Sequence, residues 1–267
     1  MDASEALEER AHAVAMELAH MAMTVMLERV DGPSTARPKG DPADWVTDAD
    51  EEIEARIQQR LSQEFPDHLV IGEESGASGN AKAQYVWYID PIDGTCNYAH
   101  RLRWSSSSLA LMRDGAQVVG VLAHPYANEV FHARKGCGAR LNDTVLKRGE
   151  AVDWPGSVVM MELANHAFWP GMRECLRWME EHWVTARIMG SSALAMAQVA
   201  AGRAQGVALG GASPIDIGAA VLIAEEAGFS VRGRRTTASG FPEGGVVAAH
   251  PERVNELWRA AFDNTAK

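Results

Sequence analysis

The 267-residue sequence has no apolar run near the ~20 residues that a membrane span needs; the longest, residues 217–224, stops well short. It opens on Met1-Asp2-Ala3-Ser4-Glu5, acidic and polar, so no secretory leader is expected. Cysteine is scarce. Cys96, Cys137 and Cys175 are an odd set without metal-ligand spacing, which fits a reduced, cytoplasmic chain whose thiols act as small apolar filler. Positive charge is short as well: 25 Lys and Arg against 36 Asp and Glu give a net charge of −11. Such a field does not attract nucleic acid or anionic lipid, so neither a nucleic-acid partner nor a membrane is expected. An anionic ligand would need a local cationic device, such as metal ions or a helix N-terminus.

What is present is ordinary globular patterning. Leu7, Ala11, Val14, Leu18, Met21 and Val25 form one stripe of a long first helix that ends before Asp31-Gly32-Pro33. Residues 31–44 hold three prolines and two glycines and read as a mobile surface loop. A second helix follows, with Ile53, Ile57 and Leu61 inward and Thr47 or Asp48 as its N-cap. From residue 85 the signal turns to strand: 85–89, then a hairpin of 107–113 and 117–123 around Asp114-Gly115, then short strands near Val130, near Leu141 and at 158–161. Helices return at about 170–183, 191–201 and 216–227, the last apolar on nearly all sides, and again around Leu257. This order predicts a layered α/β chain without repeats. A soft boundary near 150–155 separates two lobes that pack as one domain.

The most informative segment is Ile89-Asp90-Pro91-Ile92-Asp93-Gly94-Thr95: an apolar strand runs into two carboxylates three apart, then Gly and Thr. Paired carboxylates stay ionised most easily around a divalent cation, and Mg²⁺, a hard ion that takes oxygen ligands, suits them. Gly94 lets backbone amides approach an anion, and a helical turn opening at Thr95 would seat a phosphate. The plain alternative is an Asp-Gly turn in which Asp93 caps a helix. Ile71-Gly72-Glu73-Glu74-Ser75 is a second apolar-to-acidic transition, and Ser213-Pro214-Ile215-Asp216 puts a carboxylate at the start of the apolar helix, as its cap or as a metal ligand.

Other phosphate chemistries fail on spacing. Six positions beyond the cysteines lie Leu102, Asp143 and Glu181, where a cysteine phosphatase needs Arg. Asp48-Ala49-Asp50 follows polar loop rather than a strand, against an aspartyl-phosphate enzyme, and residues 206–211 lack the Lys of a nucleotide-cradling loop. His124 and His132 read as partly exposed strand histidines rather than zinc ligands, because no soft ligands complete a tetrahedron. His12 and His20 read as surface or interface residues. Trp104, close after the carboxylate segment, is a candidate for the mouth of the site.

Together, Asp44-Trp45-Val46-Thr47-Asp48-Ala49-Asp50, Gly72-Glu73-Glu74-Ser75, Asp90-Pro91-Ile92-Asp93-Gly94-Thr95 and Asp216 resemble the signatures of the inositol monophosphatase family, the Mg²⁺-dependent, lithium-sensitive phosphomonoesterases. Pro125, Glu129, Phe131, Ala133, Gly136, Gly138, Ala139 and Asn142 follow its central hairpin, and the resemblance runs from about Lys39 to about His250. It implies an α-β-α-β-α sandwich, with most metal ligands in residues 1–150 and the last ligand and the substrate-selecting residues in 151–267. It implies two Mg²⁺ ions, one on Glu73, Asp90 and the carbonyl of Ile92, another on Asp90, Asp93 and Asp216. Some members use a third near Glu73, beside the mobile loop of Lys39 and Asp44. Asp50 and Thr95 match the pair that activates the attacking water, with Glu73 also in the catalytic set. Gly94, Thr95, Ser191 and Leu209 fall at phosphate- or substrate-contacting positions.

The same resemblance implies a homodimer, inhibition by lithium and direct in-line attack by water on a small phosphate ester, without a phosphoenzyme. Ala195, Leu209 and Ile215 depart from the pattern, the first two replacing acids and the third a Trp. An inositol phosphate or a sugar or polyol phosphate is then the first substrate class. Histidinol phosphate, a nucleotide 3′,5′-bisphosphate or fructose bisphosphate are alternatives with the same chemistry. A regulatory, protein-binding scaffold is the alternative of another class, since some family members contact transcription machinery; it gives no reason for Glu73, Asp90, Asp93, Thr95 and Asp216 to occur together.

Overall fold

A computed structural model describes residues 3–32, 36–163, 167–211 and 213–263. Helix α1 (Ala3–Arg29) buries Ala11, Val14, Leu18 and Val25 of the stripe that the spacing predicts, with Leu7 and Met21 only partly buried and Ala22 and Met26 buried beside them. Next come a two-residue ladder of β1 (Arg37–Pro38) and β2 (Trp45–Val46), then helix α2 (Asp48–Glu64). Thr47 is the N-cap of α2, in a reciprocal capping box with Asp50. The chain then lays down β3 (Leu69–Gly72), β4 (Gly76–Gly79), β5 (Tyr85–Asp93), the short helix α3 (Thr95–Ala99), β6 (Ser106–Arg113), β7 (Ala116–His124), β8 (Glu129–Arg134), β9 (Ala139–Leu141) and β10 (Thr144–Leu146). Residues 147–157 carry it to β11 (Val158–Glu162), α4 (Met172–Glu181), β12 (Thr185–Ile188), α5 (Ser192–Ala200), β13 (Gly206–Leu209), α6 (Pro214–Glu226), β14 (Ser230–Thr236), β15 (Pro242–Ala249) and α7 (Val254–Phe262).

The first sheet has the order β10-β9-β8-β7-β6-β5-β3-β4, antiparallel except for the parallel pair β3–β5. The second is mixed, β12-β11-β13-β15-β14. Alternation along the strands gives each sheet two apolar faces. Trp87, Ile89, Leu109, Leu111, Val119 and Val121 pack against α1 and α2, whereas Ala110, Met112 and Leu122 pack against α5 and α6. Helices α5 and α6 lie between the sheets, which is why Ile217 through Ala224 are buried all round. Helices α4 and α7 cover the outer face of the second sheet. The result is the α-β-α-β-α layering expected from the sequence. Among the described residues, no helix is long and apolar enough to cross a membrane.

Several local expectations need correction. The segment 31–44 is not wholly loop, since Arg37 and Pro38 pair with Val46 and Trp45; residues 33–35 lie outside the described residues. Cys96 and Cys137 are exposed, and only Cys175 is apolar filler. His124 and His132 are buried, at 6% and 9% exposure, rather than partly exposed. His12 faces the sheet, with Nε2 2.9 Å from His132 Nδ1, while His132 Nε2 lies 3.0 Å from the Asn142 carbonyl. A carbonyl only accepts, so Nε2 of His132 carries the proton and its Nδ1 accepts from His12. Burial favours the neutral form of both rings.

Burial, the His132 ring and Arg134 push His12 down from 6.5 to about 4. Burial chiefly lowers His132 as well. The unfolded chain therefore binds more protons in this window, so the stability that neutral His12 retains above pH ~6.5 is lost progressively as the pH falls from there through about 4. Thermal unfolding at pH 7 and pH 5 checks this. His12→Gln, which still donates to His132 but cannot be protonated, should lose less Tm between the two than wild type.

Candidate active site

Asp90 feels Glu73, Asp93 and Asp216 at the C-terminal end of β5, and a defect in β5 explains how its own two acids come to face one site. Asp90 pairs with Ser108 and Asp93 with Ser106, so Pro91 and Ile92 together oppose the single residue Ser107. On a regular strand, residues three apart point to opposite faces; the extra residue of this bulge turns Asp90 and Asp93 toward one site. Asp90 is 4% exposed and its Oδ1 has no hydrogen-bond partner. Burial first, then Glu73, Asp93 and Asp216, raise its carboxyl well above the ordinary range.

Gly94 then takes φ +87°, and a Cβ there would sit 2.7 Å from the Gly190 carbonyl oxygen and 3.2 Å from that of Trp104. Both obstacles are backbone, so Gly94→Ala should cost about 2 kcal/mol in a urea titration and also impair the site, because the turn it pushes on holds Asp93.

Asp93 is fully engaged by the start of α5. It accepts from the Ser191 hydroxyl, from Ser192 N–H at 3.2 Å and from Ala193 N–H at 2.9 Å, thereby capping α5 from a distance. Burial outweighs these bonds, and with help from Asp216 it raises the Asp93 carboxyl to about 6. The cap reading of Asp93 is thus realised, but on a distant helix rather than the one that follows it. Asp216 is not the cap of α6: Ser213 is, its Oγ accepting from Asp216 N–H at 3.2 Å, and the Asp216 side chain is exposed. Surrounding protein mass and the nearby Glu73 nevertheless raise its carboxyl.

Glu73 comes from the turn after β3. Lys39 Nζ lies 2.8 Å from Glu73 Oε1 and 2.5 Å from Glu74 Oε1, a built-in cation between two carboxylates. Burial opposes the Lys39 charge, but the bonds to Glu73 and Glu74 more than offset it, and its pKa is raised. Asp44 holds this segment through its carbonyl, which accepts from Lys39 N–H at 2.8 Å; its exposed carboxylate is 3.9 Å from Nζ. The turn itself rests on Glu54, 2% exposed, which accepts from Glu74 N–H at 2.9 Å and Ser75 N–H at 2.8 Å. Gly72 leaves room for it: a Cβ there would meet Glu54 Oε1 at 2.3 Å.

Asp50, fully buried, divides its two oxygens. Oδ2 accepts from Thr47 N–H at 2.9 Å, whereas Oδ1 lies 3.2 Å from Thr95 Oγ1. Thr95 Oγ1 also lies 2.8 Å from the Ile92 carbonyl, so one hydroxyl proton serves two acceptors. Burial dominates over the Thr47 bonds and raises Asp50 to about 7.

One candidate lies away from the site and another within it. Leu209 is 2% exposed in the core between the second sheet and α5–α6, whereas the Ser191 hydroxyl reaches the site and donates to Asp93. Trp104 is half-buried, packed edge-on against His124. Besides Glu54, a second buried carboxylate is not among the acids expected from the sequence: Glu162, at the end of β11, is 5% exposed and raised to about 7 by burial, with Asp93 adding to the effect. Val158-Val159-Met160-Met161-Glu162 is the same apolar-to-acidic transition that marked Glu73 and Asp90.

As they stand, no three His, Cys, Asp or Glu side chains among the described residues are arranged to grip one metal ion. The donor set still fits Mg²⁺. It is all oxygen, Glu73, Asp93 and Asp216 help to raise the Asp90 carboxyl, and Asp90 Oδ1 is a buried acceptor without a donor.

The sequence profile described as the inositol monophosphatase family matches residues 7–266. The "Nus factor SuhB" of Pasteurella multocida is 35% identical over 216 residues, covering 80% of this chain and 81% of that protein. An "Inositol-1-monophosphatase" of Synechocystis is 30% identical over 224 residues, 83% of this chain and 78% of that one. Among solved structures, the extragenic suppressor protein suhB of Bartonella henselae superposes with a TM-score of 0.84 at 28% identity, over 95% of this chain and 98% of its own.

Proposed function

Because the chain belongs to the inositol monophosphatase family, we propose that it hydrolyses a small phosphate monoester with Mg²⁺ held by Glu73, Asp90, the Ile92 carbonyl, Asp93 and Asp216. The observation that carries this reading is the gathering of Glu73, Asp93 and Asp216, from three stretches of the chain, about Asp90, whose buried Oδ1 has no hydrogen-bond partner. Bound there, the ions supply neutralising charge at the phosphate and leaving oxygen and lower the pKa of water.

The chain's own residues orient the attack. Asp50 Oδ1 accepts the Thr95 proton, which leaves the hydroxyl's lone pairs to accept from a water and aim it. Thr47 holds the other Asp50 oxygen, so the pair cannot rotate away. Gly94 starts the turn that presents Thr95.

Substrate choice follows from what lines the second lobe. Ala195 and Leu209 are buried and apolar, so neither offers a hydrogen bond to a polyol hydroxyl. An inositol, sugar or polyol phosphate remains the first class, with histidinol phosphate, a nucleotide 3′,5′-bisphosphate and fructose bisphosphate beside it. Lithium inhibition and a homodimer belong to the same proposal. A second, protein-binding role has one observation in its favour, the name Nus factor carried by the Pasteurella relative.

The test is phosphate release from inositol, sugar, histidinol and nucleotide esters, with Mg²⁺ and with chelator. Chelator-sensitive release from at least one ester is expected. No release from any of them, with Mg²⁺ bound, would refute the enzymatic reading.

A further inference from the structure

The second lobe reaches the carboxylates through the turn Met189-Gly190-Ser191, and that turn is gripped from two sides. Glu162 accepts Met189 N–H at 3.2 Å and Gly190 N–H at 2.6 Å, so one buried carboxylate takes both amides. From the first lobe, the Asn97 side-chain amide, on α3, donates to the carbonyl of Met189 at 2.6 Å, with that of Gly190 at 3.4 Å and that of Trp104 at 2.8 Å. The next groups along the chain, the Ser191 hydroxyl and the amides of Ser192 and Ala193, are the ones that hold Asp93. The backbone donors of the turn thus face Glu162, its acceptors face Asn97, and its C-terminal end carries the cradle of a proposed metal ligand.

We propose that Glu162 and Asn97 are positioning residues that act through the 189–191 turn to set the orientation of Asp93, and so tune divalent-ion binding without touching ion or substrate. The inference rests on the Mg²⁺ reading above. Its chemistry is specific to residue type. A carboxylate is acceptor-only and satisfies two converging N–H groups, whereas a carboxamide turns one of its ends into a donor facing a donor. A primary amide is donor-rich where carbonyls converge, and a carboxylate at position 97 would be repelled by them.

The decisive variant is Glu162→Gln, which preserves shape. In metal-free protein, hydrogen exchange at the amides of Ser192 and Ala193 should accelerate about tenfold, the loss of about 1.4 kcal/mol of local protection. Calorimetric titration with Mg²⁺ should show affinity weakened about tenfold. Asn97→Ala, attacking the same turn from the other lobe, should reproduce both effects and serves should the first variant fold poorly. In an Asp93→Asn background, Glu162→Gln should weaken Mg²⁺ binding no further, because its effect passes through Asp93.

Unchanged exchange at Ser192 and Ala193 with unchanged Mg²⁺ affinity in a folded Glu162→Gln protein would overturn the inference. So would a full additional loss in the Asp93→Asn background. Wild type is the control that separates the two claims: if it binds no Mg²⁺ and releases no phosphate, the enzymatic reading fails, whereas wild-type binding with indifferent variants sinks this inference alone.

Discussion

Asp93→Asn is expected to abolish Mg²⁺-dependent phosphate release while leaving a folded protein. The Asp93 carboxylate does two jobs. It caps α5 through Ser191, Ser192 and Ala193, and it sits among Asp90 and Asp216 where positive charge is wanted. An amide keeps one acceptor oxygen, so part of the cap survives, but its NH₂ must face at least one of the donors. The unfolding cost should then be about 1 to 2 kcal/mol, modest for a domain of this size. The loss of charge falls on the ions. Turnover should drop on the order of 10³-fold or more, and Mg²⁺ affinity should fall with it. Circular dichroism, urea unfolding and a phosphate assay with Mg²⁺ varied separate the two losses. Turnover like wild type would remove Asp93 from the metal site.

Thr95→Ala is expected to split the same observables the other way. Among the described residues the hydroxyl bonds only Asp50 and the Ile92 carbonyl, so its removal leaves Glu73, Asp90, Asp93 and Asp216 in place. Half-saturating Mg²⁺ and KM should stay near wild type, while kcat falls on the order of 10²- to 10³-fold. That pattern marks a group that acts in the transition state rather than in binding. A parallel rise in half-saturating Mg²⁺ would instead make Thr95 a prop for the Ile92 carbonyl.

Much of this site is legible in the residues because local rules and the chemistry coincide. The capping box of Thr47 and Asp50 follows from three-residue spacing, and it happens to fix the carboxylate that meets Thr95. The strand ending in Asp90-Pro91-Ile92-Asp93 announces paired acids. The bulge that aims both at one site is a matter of register with β6, which a single segment does not encode.

The residues missed are those whose partners are distant backbone. Glu54 sits beside the apolar stripe of α2 and would pass for a surface acid. It is buried because Glu74 and Ser75, twenty and more positions away, lend it their amides. Glu162 ends an apolar strand, a signal applied to Glu73 and Asp90 but not here. The exposure of Cys96 and Cys137, and the burial of His124 and His132, turn on strand register and turn geometry, not on residue type. Asp216 shows the converse: the start of an apolar helix offers it as a cap or a metal ligand, and Ser213 takes the capping task.

The most direct test of the account is a crystal grown without chelator and soaked in Mn²⁺, read by anomalous scattering. Peaks bonded to the Glu73, Asp90 and Asp216 carboxylates, with Asp93 reaching a shared ion, are the predicted result. An empty difference map around Asp90 at saturating Mn²⁺, with Lys39 still bridging Glu73 and Glu74, would contradict it.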